Sequence, residues 1–135
     1  MQRRLRRRNP AAGGAREDGS AVVDFVLVGA LLTLLVMAVV QLALILHVRN
    51  TLTDAAASGA RYGTLADRSP EDGVERAREL ISGTLSSGFA QDVTYSRVGG
   101  DGGSMLQIQV RAPLPVIGLI GPTGGIEVRG HAYWP

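Results

Sequence analysis

Between positions 25 and 46 the chain carries 22 residues without a charge, and only Thr33 and Gln41 among them are clearly polar. As a helix rising about 1.5 Å per residue, this run is roughly 33 Å long, enough to cross the hydrocarbon of a bilayer. A single segment in lipid must satisfy its own backbone hydrogen bonds, which selects helix over strand. The pattern does not stop at Leu46. Leu44, Val48, Leu52, Ala55 and Gly59 recur at spacings of three and four, so the helix is expected to continue as a stalk through Tyr62. The small residues on that face permit close helix approach. Their partner is either another subunit or the protein's own head, and the spacing fits both.

Beyond the stalk the periodicity changes. Ser69-Pro70-Glu71-Asp72 combines an N-cap, a proline in the first turn and an acid three residues after the cap. Val74, Ala77, Leu80, Ile81, Thr84 and Leu85 then form the apolar stripe of a helix ending near Gly88. A strand is predicted over 92–98 and a Gly-rich turn over 99–104. In the strand that follows, over 105–112, Leu106, Ile108 and Val110 alternate with Gln107, Gln109 and Arg111. These two strands read as a hairpin. Residues 113–125 read as a loop with Val116, Ile117, Leu119 and Ile120 partly exposed, either a docking surface or a lid over the sheet. A third strand is predicted over 126–134. The predicted fold class is α+β: a long N-terminal transmembrane helix continuing into a stalk, then a small head of one helix and a roughly three-stranded antiparallel sheet. The expected boundaries are 1–19 for a basic leader, 20–62 for span and stalk, and 63–135 for the head.

Composition agrees with that division. Of 135 residues 45% are hydrophobic, yet only six are aromatic. Once the apolar block is set aside, the remainder is too short for a large core, which argues against a self-contained soluble enzyme. The absence of cysteine excludes a disulfide framework, a thiolate metal site and a lipoprotein anchor. All 14 basic residues are Arg, and six of them (Arg3, Arg4, Arg6, Arg7, Arg8, Arg16) precede Gly19. Glu17 and Asp18 alone oppose them there, leaving +4 in the first 19 residues and −2 in the rest. Such a cluster abutting an apolar run is the positive-inside signature, which predicts a cytoplasmic N terminus and an exported C-terminal portion. A nucleic-acid interface would need the basic residues spread over a folded face instead. No Ser/His/Asp set or catalytic carboxylate pair can be assembled, and His47 and His131 lack ligand-spaced partners. The run 99–103 lacks the Lys and the following helix of a phosphate loop. No enzymatic activity, cofactor, metal or small-molecule substrate is expected.

One residue sits awkwardly for a plain anchor. Asp24 immediately precedes the apolar run, where it either marks the membrane edge at modest cost or has a purpose of its own. Gly19 lies five residues before it, and Ser20, Ala21, Val22 and Val23 between them are small or apolar. A short Arg-rich leader, Gly19, Ser-Ala-Val-Val-Asp-Phe and a long apolar helix together resemble the class III signal of type IV pilin-like precursors. Gly13 and Gly14 do not fit that pattern, because Arg16 and Glu17 follow the first and Gly19 stands at the acid's offset from the second. The resemblance implies cleavage between Gly19 and Ser20 by a membrane prepilin peptidase. Asp24 would then be the fifth mature residue, where the family usually has Glu. It would neutralise the new Ser20 amine of an adjacent subunit during assembly.

The stretch 48–62, with Asn50, Leu52, Ala55, Ala56, Gly59, Ala60 and Arg61, resembles the post-membrane motif of TadE-like proteins, pilin-like minor components of the tight-adherence (Flp) pilus. Leader and motif together cover 19–62, under half the chain. The resemblance implies the membrane, the prepilin peptidase, other pilin-like subunits, the Flp major pilin and an inner-membrane assembly platform as partners, and no catalysis. Two other routes fit the residues. Ala55-Ala56-Ala57 before Ser58 offers a small-x-small site for an ordinary secretory signal, although 22 apolar residues exceed the usual h-region of about 7–15. Alternatively the chain is an uncleaved single-pass anchor carrying a small binding head.

Overall fold

A computed structural model of the protein describes residues 14–115 and 125–134. The Arg cluster at 3–8 and the apolar positions 116–120 lie outside the described residues. Element order is α1 (Gly14–Gly63), α2 (Pro70–Thr84), a short 3-10 turn (Ser87–Ala90), β1 (Asp92–Gly100), β2 (Gly103–Pro113) and β3 (Gly125–Trp134). The chain is α+β, as its periodicities predict. By contacts it divides into two compact units, Met1–Val40 and Gln41–Pro135.

In the first unit every described side chain is exposed, with Phe25 80% and Leu31 69% accessible. A helix stretch that is apolar on every side and exposed among the described residues, as 25–40 is, has lipid as its natural solvent. The helix is long and apolar enough to cross a membrane. Its one hydroxyl in the run is internally satisfied: Thr33 Oγ1 donates to the Gly29 carbonyl at 2.8 Å. The helix begins at Gly14, upstream of Ser20, and so includes the end of the expected leader.

The second unit is built on the last turns of α1. Val48, Leu52, Ala55, Ala56 and Ala60 from α1 join Val74, Ala77 and Ile81 from α2 in one core. The sheet contributes Val93, Ile108, Val110, Ala112, Ile126, Val128 and Ala132. The small residues of the stalk therefore pack on the protein's own head. α2 starts at a capping box, with Ser69 Oγ accepting from the Asp72 amide at 3.3 Å and Asp72 Oδ2 accepting from the Ser69 amide at 2.9 Å. Of the predicted stripe, Val74, Ala77 and Ile81 are buried, and Leu80 and Leu85 pack against the core's margin.

The three strands form an antiparallel meander in the order β1-β2-β3. Alternation decides its faces: Leu106, Ile108, Val110 and Ala112 of β2 and Ile126, Val128, Gly130 and Ala132 of β3 turn inward. On β1 only Val93 is buried. The hairpin turn is tighter than the predicted 99–104, because Gly99 and Gly100 extend β1 and pair with Ser104 and Gly103. Gly103 has φ +132°, a conformation that favours glycine, and the Tyr133 ring lies over the space a Cβ would take.

Candidate functional site

The residues singled out by sequence fall into two groups. Gly19, Ser20 and Asp24 lie in the exposed first unit. Asn50, Leu52, Ala55, Ala56, Gly59, Ala60 and Arg61 lie on the turns of α1 that the head encloses.

The Gly19–Ser20 bond sits within a helix already running from Gly14. A Cβ added at Gly19 would meet nothing within 4 Å, so no packing demands glycine there. Gly19, inside the helix, weakens it by about 1 kcal/mol relative to Ala, so these turns open more easily than an all-Ala stretch would. Ser20 and Asp24 stand four residues apart, one above the other on the same helix face. An amine created at Ser20 would therefore emerge beside a column that already carries a carboxylate.

The stalk motif separates by side. Leu52 and Ala56 are fully buried, Ala55, Gly59 and Ala60 are buried too, and Asn50 and Arg61 are exposed. The small residues are small because backbone meets backbone. A Cβ on Gly59 would come within 2.5 Å of the Gly73 carbonyl oxygen and 2.9 Å of the Ala77 Cβ. Gly73 answers from α2, its own added Cβ falling 2.5 Å from the Gly59 carbonyl oxygen. Across the sheet, a Cβ on Gly130 would lie 2.2 Å from the Ala57 amide nitrogen. At Gly63 the close neighbour is a side chain instead, the Leu106 Cδ2 lying 2.8 Å from an added Cβ. Helix α1 is thus clasped between α2 and β3 through glycine contacts. The periodicity of α1 foretold Gly59, but Gly73 and Gly130 were not singled out. Gly130 carried a readable signal, a glycine at an inward strand position between Val128 and Ala132, which marks close backbone approach.

Arg61 borders an open groove between α1 and α2, shared with Thr51, Asp54, Ser58, Leu80 and Thr84. Asn50 lies outside the core and outside that groove lining. Among the described residues, no group of three or more His, Cys, Asp or Glu is placed to hold a metal ion. His131 is instead within 2.9 Å of Gln107 Oε1 on the outer face of the sheet.

Two surface links pin the edge strands. Tyr95 of β1 donates its hydroxyl to Glu71 Oε1 of α2 at 2.6 Å. That bond holds the Glu71 carboxyl below the usual carboxylate range and raises the Tyr95 phenol above its usual one. The signs set a pH window. The Glu71 contribution is present above the ordinary carboxylate range and is lost as pH falls through its lowered value. The Tyr95 contribution is present below the ordinary phenol range and is lost as pH rises through its raised value. Glu71→Gln is accordingly expected to lower the pH at which the Tyr95 phenol ionises, read by ultraviolet absorbance titration against the parent. Superimposable curves would mean the bond does not persist in solution. On β3, Glu127 accepts from Arg129 at 2.7 Å and from Arg111 at 3.2 Å, and its carboxyl is lowered first by the Arg129 hydrogen bond.

A protein-family model described as TadE-like protein matches residues 19–61 of the chain. No curated protein and no solved structure matches it.

Proposed function

We propose that the chain is a pilin-like subunit of a tight-adherence (Flp-type) pilus. A prepilin peptidase would cut it between Gly19 and Ser20, and it would act in pilus assembly rather than in catalysis. The observation that carries this reading is where the family match begins. It starts at Gly19, the residue after which cleavage is expected, and runs through the apolar helix to Arg61. The exposed apolar helix supports a membrane anchor. The Arg-rich leader supports a cytoplasmic N terminus with the head outside. The partners that follow are the peptidase, the Flp major pilin, other pilin-like subunits and the inner-membrane assembly platform.

The core counts against the secretory route. Cleavage before Ser58 would remove Val48, Leu52, Ala55 and Ala56, all core residues, and expose the inner face of the sheet to water. Burial of one such side chain as large as Leu52 is worth about 2–5 kcal/mol relative to a cavity, so a head cut at Ser58 would not keep its fold. Keeping α1 intact down to Ser20 leaves every one of those contacts in place. Mass spectrometry of the N terminus of protein purified from membranes decides among the routes. Ser20 is expected. Ser58 would establish secretion, and an intact leader would establish an uncleaved anchor.

A further inference from the structure

We propose that the head is seated in the outer membrane–water interface, with the end of its sheet at Pro113 and Gly125 in contact with lipid, so that the bilayer surrounds α1 up to Leu46 on its uncovered side. The inference rests on α1 being a membrane span and concerns where that span ends. By sequence Gln41 and Ile45 belong to the apolar run, yet both are already part of the head. Gln41 Nε2 donates to the Pro115 carbonyl, and Ile45 and Leu114 pack against the same core. Leu42 and Leu46, on the same turns, remain 58% and 49% exposed. The head therefore overlaps the last six residues of the run, about 9 Å of helix.

That overlap leaves two placements. If the head stood wholly in water, the bilayer would have to end at Val40. Residues 25–40 would then supply about 24 Å of helix against a hydrocarbon core of about 30 Å. The missing length could come only from 21–24, which draws the Asp24 carboxylate into hydrocarbon. If the head is seated in the interface instead, residues 25–46 span the core and Asp24 stays at its edge. The chemistry of the head's lower end favours the second placement. Pro113 and Gly125 are paired in register, so both ends of the β2–β3 connection leave the sheet at the same level, beside Gln41. The described residues next to that level, 112–115 and 125–126, include no charge, and Leu114 packs against the core's margin. The opposite end of the sheet has the charged Asp101 turn. The last two rungs of the sheet, Ala112 with Ile126 and Pro113 with Gly125, carry no charge, and the first charges, Asp92, Arg111 and Glu127, stand one rung further into the head. Such a graded end fits the interfacial region, where amphipathic segments bury their apolar face about 5–10 Å deep.

The natural chain has no cysteine, so single cysteines can be introduced and spin-labelled without background. We would label Leu31→Cys, Leu46→Cys, Pro113→Cys and Val98→Cys in the full chain, reconstituted in phosphatidylethanolamine–phosphatidylglycerol vesicles. Collision with lipid-dissolved oxygen would be compared with collision with a water-soluble nickel chelate. Leu31, Leu46 and Pro113 are expected to favour oxygen several-fold over Val98. Lipid contact at Leu31 with water contact at Pro113 and Leu46 would overturn the seated head while leaving the span intact. Water contact at Leu31 would overturn the span itself. Because Pro113 is exposed at a strand end, its substitution leaves the core untouched, and the Leu46 label gives the boundary independently.

Discussion

Replacing Gly130 with Val is expected to unfold or grossly loosen the head, although Val is the better strand former. The two effects oppose each other and differ in size. β-propensity favours Val over Gly by at most about 1 kcal/mol in a strand. The new Cβ, however, would fall 2.2 Å from the Ala57 amide nitrogen and 2.3 Å from the Ala56 carbonyl carbon. Those are backbone atoms of a helix whose other side is clasped by Gly73, so relief requires α1 to move off β3 as a whole. Overpacking that side chains can absorb costs about 1–3 kcal/mol, and a backbone clash lies at or beyond the upper end. Against a total stability of about 5–15 kcal/mol for a domain, the net loss is a large fraction. In detergent the thermal midpoint of Gly130→Val, followed through the near-ultraviolet signal of Trp134, should fall well below that of the parent. Gly83→Ala is the control. Nothing lies within 4 Å of its added Cβ, and replacing a helical glycine there should be neutral or stabilising by about 0.5–1 kcal/mol. An unchanged midpoint for Gly130→Val would mean that α1 does not rest on β3 as described.

Much of this architecture was legible because its local signals agree with its packing. The capping box at Ser69 and Asp72 places the start of α2 to the residue, and the alternation through Leu106, Ile108 and Val110 gives the buried face of β2. The stalk face was legible as a pattern but not as a partnership. Leu52, Ala55 and Gly59 would look the same facing another subunit, since close approach requires small residues whatever approaches. Only the reciprocal glycine on α2, Gly73, decides it, and that pairing joins positions 14 apart through a turn that periodicity does not encode. The same holds for Gln41. It is a polar residue in an apolar run, and its partner at Pro115 lies 74 positions away. The candidate processing site was the reverse case. Gly19, Ser20 and Asp24 are legible in sequence and barely constrained in the fold, since among the described residues all three are exposed and a Cβ added at Gly19 would meet open space.

Asp24→Ala is therefore expected to leave the head folded and the chain in the membrane, yet to abolish its incorporation into a pilus. Stability within the chain should not change, because Asp24 is exposed. Insertion should become slightly easier, because a carboxylate costs up to about 2.5–3.5 kcal/mol at a bilayer centre and less at the edge. The loss appears only when helices pack. Cleavage after Gly19 would leave a cationic α-amine at Ser20 in or near hydrocarbon, and each subunit then carries both an amine and, one turn on, a carboxylate. Packing helices in a register that sets Asp24 of one subunit beside Ser20 of the next satisfies both groups. Removing the carboxylate leaves the amine unpaired. Breaking a buried ion pair by deleting one partner costs about 3–5 kcal/mol. At 1.4 kcal/mol per tenfold, that weakens each addition by roughly a hundredfold to a few thousandfold. Immunoblots of sheared surface fractions against membrane fractions would read the effect, with the variant retained in the membrane. Asp24→Glu, which keeps the charge, should restore incorporation, and Asp24→Asn, which keeps the shape, should not. Rescue by Asn would make the residue a hydrogen-bonding helix cap, since the charge is what the amine requires. Normal incorporation of Asp24→Ala would remove the pairing altogether and leave Asp24 as the marker of the membrane edge.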